Sequence, residues 1–279
     1  MDMAIVDEAA SLIAAARQKQ VRIARLPITC RPRSVAEAHA IQDAVVNKLG
    51  ATIGGYKATA PASDQTRSQN GTCATATADE SWSMTEGVRA LIFDTTIYAS
   101  PCTIPSREMP QCGVEGEIAF RFLCDLPPRA APYTREEIAA VTDAYPAIEV
   151  VSSRFASPEK MTFPESLADC VSNGGFVFGS RRADWQRLRL AELKVMLIVN
   201  GEAVVDQTGG HPTGDPFGIV VALVEMMRTT TGVSAGQFVT CGSFTGLRYF
   251  KPGDVCEVRF EELGIAKLSF SPWSIAPRL

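Results

Sequence analysis

The chain has 279 residues, 46% of them hydrophobic, enough to bury a core for one large domain or two small ones. Its 27 basic and 31 acidic residues leave a net charge of −4 with no long basic block, which gives a nucleic-acid partner no electrostatic footing. No apolar run approaches the ~18 residues that span a bilayer, and Met1-Asp2-Met3-Ala4 lacks the basic start of a secretory signal. The eight cysteines form no CxxC pair and no zinc spacing, so they read as reduced thiols in a cytoplasmic protein.

The first ~50 residues read as two helices. Residues 3–19 carry an Ala/Leu/Ile-rich amphipathic pattern. A second helix opens on a capping box, Ser34-Val35-Ala36-Glu37, and stops at Gly50. Gly54-Gly55-Tyr56-Lys57 then leads into a Ser/Thr/Ala/Gln-rich stretch over 58–85. A polar segment of that length with no element of its own suits a functional loop, and residues 60–88 are expected to form a mobile lid. Residues 90–98 resume an apolar strand.

From 113 onward the signals are mostly β. Strands are predicted at 114–122, 147–152, 175–179, 193–199, 203–207, 237–242, 255–260 and 265–270. Asn200-Gly201 is a two-residue hairpin signal. Thr134-Arg135-Glu136-Glu137 caps a short helix that must end before Pro146. Asp215-Pro216 opens another, predicted to run to about Thr231 with Gly232 as its C-cap. Pro252-Gly253-Asp254 turns the chain between two of the last strands. The pattern is α+β, with a helical N-terminal cap over residues 1–88 that includes the loop, and a β-rich body over 89–279.

Chemistry concentrates in Val114-Glu115-Gly116-Glu117-Ile118. Residues two apart on a strand share a face, so two carboxylates aim at one point. They repel unless a cation lies between them or one keeps its proton. A third acid, Glu149, lies in the apolar run Ala147-Ile148-Glu149-Val150-Val151. Three carboxylates with no His or Cys beside them make a hard oxygen site suited to Mg²⁺ or Mn²⁺, against the plainer reading of a solvated strand face. Only His39 and His211 offer imidazoles, and His39 lies inside a predicted helix. His211, before Pro212, reads as a turn residue, Arg154 as a structural ion-pair partner, and the cysteines as core fillers.

An ordered set of segments carries a resemblance that covers nearly the whole chain. It comprises Ile53-Gly54-Gly55-Tyr56-Lys57, the Glu115/Glu117 pair, Pro146 through Arg154, and Ala168-Asp169 through Gly179. Asn200-Gly201-Glu202, Gly210-His211-Pro212 and Thr240 through Gly246 complete it. Together they resemble the 2-keto-4-pentenoate hydratase and 4-oxalocrotonate decarboxylase branch of the fumarylacetoacetate hydrolase superfamily. The resemblance implies a mixed β-roll around a divalent metal in a homo-oligomer. It implies Glu115, Glu117 and Glu149 as metal ligands and Lys57 beside a 2-oxo or 2-hydroxydienoic acid. Asp94 is implied as the acid that positions Lys57, and Ser172 as a polar residue of the pocket. Ser243 and Thr245 belong to the segment that holds the substrate carboxylate.

Expected activity is therefore that of a metal-dependent hydro-lyase of aromatic-compound catabolism, adding water to a 2-hydroxy-2,4-dienoate. Decarboxylation of a vinylogous 2-oxo diacid is the alternative. Carbon–carbon hydrolysis is disfavoured, because no His–Glu constellation stands in the N-terminal half. The chain departs from the family pattern at Ala58-Thr59 after the lysine, at Cys170 and Asn173 around the pocket serine, and across 60–88. Those departures keep open a binding protein on the same fold without turnover.

Overall fold

The computed structural model describes residues 1–61 and 87–272. The lid expected over 60–88 thus falls, apart from its ends, outside the described residues. Among the described residues the α-helices are α1 (Met3–Lys19), α2 (Val35–Leu49), α3 (Arg135–Ala139), α4 (Phe163–Ala168) and α5 (Pro216–Met227). The first strands are β1 (Ile53–Thr59), β2 (Val88–Phe93), β3 (Ile97–Ala99), β4 (Cys102–Ile104), β5 (Gly113–Phe122), β6 (Thr142–Val151) and β7 (Asn173–Phe178). They are followed by β8 (Lys194–Val199), β9 (Glu202–Thr208), β10 (Phe238–Ser243), β11 (Arg248–Tyr249), β12 (Val255–Phe260) and β13 (Gly264–Phe270).

One sheet has the order β2-β1-β10-β5-β6-β7-β3, with β11 beside β5, and the other β4-β13-β12-β8-β9. In the larger sheet β1 runs parallel to β10 and β3 parallel to β7; the remaining pairs are antiparallel. β2 lies against β7, and the turn Asp94–Thr96 passes the chain on to β3, which pairs with β7. The larger sheet therefore rolls nearly shut, and the expected mixed β-roll with a helical N-terminal segment is what the chain forms. Because β1 and β2 are paired, residues on both sides of position 88 share one sheet.

Alternation along the strands sends every second side chain into the roll. Ile92, Ala119, Tyr145, Ala147, Phe176 and Phe238 fill it as a compact cluster. Phe238 sits among the rings of Tyr145, Phe176 and Phe178 at centroid distances of 4.9–5.5 Å, with the Arg121 guanidinium 5.1 Å from its own ring. The opposite face joins the main core, shared with the smaller sheet and the helices. Buried Gln42 of α2 stitches the cap to the sheet: its Oε1 accepts from Leu91 N at 3.2 Å, and its Nε2 donates to Leu167 O of α4.

β4, β11 and α4 have no counterpart in the sequence reading, and four other elements differ from it. β1 was unassigned because Gly54-Gly55 weakens a strand signal. Gly55 is needed there, since a Cβ would stand 2.6 Å from Phe238 O of the neighbouring strand. The strand predicted over 90–98 breaks at Asp94 into β2 and β3. β6 begins five residues before 147 and carries Pro146 in its middle. Pro146 is tolerated because its side toward β7 lies past the last paired residue there, Phe178, where its carbonyl accepts from Gly179 N. α5 ends at Met227 and not at Thr231. Three β-branched threonines follow Arg228, and Thr230 Oγ1 takes up the Met227 carbonyl, which closes the helix early.

If the aromatic cluster holds the roll open at its proper radius, Phe238→Ala should destabilise the protein by about 3–5 kcal/mol. Urea unfolding followed by far-UV circular dichroism measures this, and a loss below about 1 kcal/mol would show that the roll does not depend on that ring.

Candidate metal centre

The register of β5 and β6 sets Glu115 directly opposite Glu149. Glu117 lies two residues along β5 on the same inner face. One oxygen from each carboxylate lies within 4.8 Å of the others. Glu149 and Glu117 are buried and Glu115 is half-buried. Burial pushes the Glu115 carboxyl up to about 7, reinforced by the charge of Glu149 and opposed by Lys57 and Ser243. Burial, then Glu149 and Glu115, hold Glu117 well above the usual carboxylate range.

Lys57 of β1 reaches into this cluster. Its Nζ is 2.8 Å from Glu149 Oε1 and donates to Val171 O at 3.2 Å. Burial works against its charge, but Glu149, Glu115 and Glu117 outweigh it and keep the ammonium above its ordinary range. Each buried carboxylate has one oxygen committed to the protein. Glu149 Oε1 takes Lys57 and, at 3.0 Å, Asn173 Nδ2. Glu117 Oε2 takes the Thr240 hydroxyl and, at 2.9 Å, Gly242 N. Among the described residues Glu149 Oε2 is buried with no hydrogen-bond partner, an arrangement that is costly unless something binds there. The donor set is all oxygen, and once all three carboxylates are ionised they outweigh the single ammonium by the charge that a divalent cation neutralises. These residues fit such an ion.

Two irregular pieces of backbone shape the centre. In β10 the register to β5 jumps between Thr240 and Ser243, so Cys241 and Gly242 bulge out. Gly242 has φ +107°, open to glycine, and thereby turns its N–H onto Glu117. His211 Nε2 bonds the freed Cys241 carbonyl at 2.7 Å, so this imidazole is part of the scaffold. The second piece is Cys170-Val171-Ser172, three successive residues with φ of 55°, 49° and 60°. A left-handed turn costs roughly 1–2 kcal/mol per non-glycine residue, and Val171 is β-branched. It aims the Val171 carbonyl at Lys57 and passes straight into Asn173, the partner of Glu149.

Of the residues predicted from sequence, the fold brings Lys57, Glu115, Glu117, Glu149 and Ser243 together, with half-buried Ser172 next to Val171 in the turn. Ser243 Oγ is buried beside Glu115 and helps hold that carboxyl down. Asp94 is a correction. It is exposed at the end of β2, its Oδ1 accepts from Thr95 N at 2.7 Å, and Lys57 is held by Glu149 and Val171 instead. The register places Ala90 beside Lys57, which leaves Asp94 four residues away along β2, about 13 Å. Thr245 is bound between the two glutamates. Its Oγ1 accepts from Gly116 N at 2.8 Å and donates to Gly246 O at 3.2 Å, which commits it to the backbone between the two glutamates. Thr59, where the chain departs from the family pattern, accepts from Val88 N and ties β1 to β2. Arg154 is an ion-pair partner, as read, bound to Asp169. Sequence reasoning missed Thr240, Gly242 and the carbonyl of Val171; the first two lie in a segment already singled out, whereas a backbone carbonyl leaves no trace in residue identity.

Residues 77–270 match the family described as fumarylacetoacetate (FAA) hydrolase C-terminal. A 2-keto-4-pentenoate hydratase of Paraburkholderia xenovorans (strain LB400) is 32% identical over 180 residues, 64% of this chain and 66% of that protein. A 4-oxalocrotonate decarboxylase of Pseudomonas putida is 31% identical over 134 residues, 48% of this chain and 50% of that protein. The matched segments thus span less than two-thirds of these relatives' length. Among solved structures, a 4-oxalocrotonate decarboxylase from Pseudomonas putida G7, complexed with magnesium and adipate, superposes with a TM-score of 0.78 at 21% identity, covering 97% of this chain and 98% of that one.

Two outcomes are expected. Glu149→Gln removes one charge at nearly constant shape, so Mg²⁺ affinity measured by calorimetric titration should fall at least tenfold, on the order of 1.4 kcal/mol; an unchanged affinity would remove Glu149 from the ligand set. Because Glu115 is raised from 4.5 to about 7, it favours the protonated form when folded. Its contribution to stability is therefore present below about pH 4.5 and lost as pH rises toward about 7, while Mg²⁺ affinity rises over that same window. Titrations at pH 6 in buffers of different ionisation enthalpy should show proton release on metal binding, and a buffer-independent heat would contradict the raised carboxyl.

Proposed function

The chain belongs to the fumarylacetoacetate hydrolase C-terminal family, and on that premise we propose that it is a divalent-metal-dependent hydro-lyase of aromatic-compound catabolism. Its substrate is a 2-hydroxy-2,4-dienoate of the 2-keto-4-pentenoate kind, and its product a 4-hydroxy-2-oxo acid. The observation that carries this reading is the Lys57 ammonium lodged against Glu149 inside a three-carboxylate cluster. Both imidazoles of the chain are bound to backbone carbonyls, His39 to Arg89 O and His211 to Cys241 O, so neither supports water activation for carbon–carbon hydrolysis.

Glu115, Glu117 and Glu149 hold Mg²⁺ or Mn²⁺. Such an ion supplies Lewis-acid stabilisation of negative charge at the substrate's C2 oxygen. Lys57, kept charged by its carboxylate neighbours, is the acid: it delivers the proton that C5 takes up, while the C2 hydroxyl gives its proton to solvent, from which Lys57 is reprotonated, and the dienol becomes the conjugated ketone. Water then adds at C4, and a proton at C3 completes the product. Ser243 and Ser172 offer hydroxyls to the substrate carboxylate. The protein acts as a homo-oligomer in the cytoplasm; among the described residues no helix is long and apolar enough to cross a membrane.

A second reading, decarboxylation of a 4-oxalocrotonate-like diacid, is favoured by the decarboxylase relative and draws on the same electron sink at C2. Incubation with 2-hydroxypenta-2,4-dienoate and, separately, with the diacid separates the two, by 4-hydroxy-2-oxo acid formed against CO₂ released. Hydration should dominate, and CO₂ release without hydration would replace the first reading with the second. Lys57→Met should lower turnover by about 10²–10⁴-fold with no loss of Mg²⁺ affinity. Turnover near that of the wild type would take Lys57 out of the chemistry.

A further inference from the structure

The left-handed turn Cys170–Ser172 stays in place although nothing in its own sequence favours it, since none of its residues is glycine, asparagine or aspartate. What surrounds it is a buried ionic cluster. Asp169, fully buried, accepts from the Ser153 hydroxyl at 3.0 Å, from Arg154 N at 2.9 Å and from Arg154 Nε. Arg154 also donates to Asp169 O at 2.7 Å and to Asn173 O at 2.8 Å, and so bridges the residues on either side of the turn. The turn itself closes through Ser172 N on Asp169 O, and its outer carbonyl, Ser172 O, accepts from Ser152 N.

One member of the cluster comes from far away in the chain. Arg17, in the last turn of α1, crosses over the Phe93 ring at 4.8 Å and ends with Nη2 3.4 Å from Asn173 O and 3.8 Å from Asp169 Oδ1. Its side chain is only 11% exposed, and among the described residues its buried Nε has no partner. A guanidinium used merely to keep a helix end solvated would snorkel outward. This one is drawn inward onto the two residues that flank the turn, at the expense of a buried unsatisfied donor.

We propose that Arg17 is a positioning residue that clamps Asp169 and Asn173 together with Arg154, fixing the turn from which Val171 O holds Lys57 and Asn173 Nδ2 holds Glu149. The N-terminal cap thereby completes the catalytic centre without touching substrate. The functional consequence rests on the hydro-lyase reading above, whereas the clamp itself is a statement about structure that can be read separately.

Arg17→Met and Arg17→Lys decide it, compared with the full-length wild type by three measurements. In Arg17→Met, amide exchange in peptides covering 169–173 should quicken by about tenfold or more, while peptides covering β5 keep their protection. Its kcat should fall by roughly 10–100-fold with KM and Mg²⁺ affinity within about threefold, as expected when an acid is displaced by an ångström or less. Arg17→Lys, whose ammonium reaches the same carbonyl and carboxylate, should recover most of both losses. Arg17→Gln keeps a donor but not the charge, and replaces the Met variant if that one fails to fold. Unchanged exchange over 169–173 overturns the clamp, whatever the turnover. Quickened exchange with unchanged kcat overturns its role in positioning Lys57, and a parallel loss of Mg²⁺ affinity and global protection reduces Arg17 to a fold-stabilising residue. Should the wild type turn over neither substrate, the functional reading fails, and the exchange comparison still decides the clamp.

Discussion

Three carboxylates converge on the inner face of one rolled sheet, and the mutual repulsion of Glu115, Glu117 and Glu149 is the constraint around which the rest is arranged. Buried like charges at this spacing are untenable alone. The protein meets them with one cation, Lys57, with N–H and O–H donors from Asn173, Thr240 and Gly242, and with carboxyls displaced toward protonation. What remains is a residual negative charge and an unsatisfied oxygen on Glu149, which is the electrostatic imprint of a divalent cation.

Several of these partners, Gly242 N, Val171 O and Asn173, are supplied by backbone that leaves regular geometry, whereas Lys57 and Thr240 stand in register on their strands. The β10 bulge frees Gly242 N for Glu117 and leaves Cys241 O to His211. The left-handed turn before β7 brings Val171 O and Asn173 to Lys57 and Glu149. Regular strands carry the acids, because alternation alone puts them on one face; irregular segments carry several of their partners, because a ladder spends its own N–H and C=O groups on neighbouring strands. Strain of this kind persists only where surrounding contacts over-determine it, and here the Asp169–Arg154 pair and the inward Arg17 do so.

The aromatic cluster of Tyr145, Phe176, Phe178 and Phe238 has a related task. It continues the inner face below the acids, keeps water from filling the roll and so preserves the low polarity that makes the charges interact strongly. Ala119 and Ala147, between the glutamates and these rings, keep the inner face narrow there.

The acids were legible in the sequence because a two-residue spacing has one geometric meaning on a strand, and Glu149 because an apolar run surrounds it. Capping signals at Ser34, Thr134 and Asp215 marked helix starts correctly, since each acts within four residues of itself. Lys57 could be assigned to the centre by likeness to a family, but not by its neighbours, because β1 meets β10 only across some 180 residues. The same distance explains the misplacement of Asp94, which is next to Lys57 in no sense that the β1–β2 register allows. The Gly116 N–H that Thr245 takes up is likewise a partner that only sheet pairing brings near. Arg17 reads in sequence as an ordinary cation at a helix C-terminus. Its inward course depends on where α2 carries α1, which brings Arg17 over Phe93 and onto the turn before β7. The sequence by itself determined the chemistry of the ligands and the period of the elements that bear them. Tertiary structure alone decided which carbonyls, amides and distant charges those ligands would meet, because such partners act through position and not through residue type.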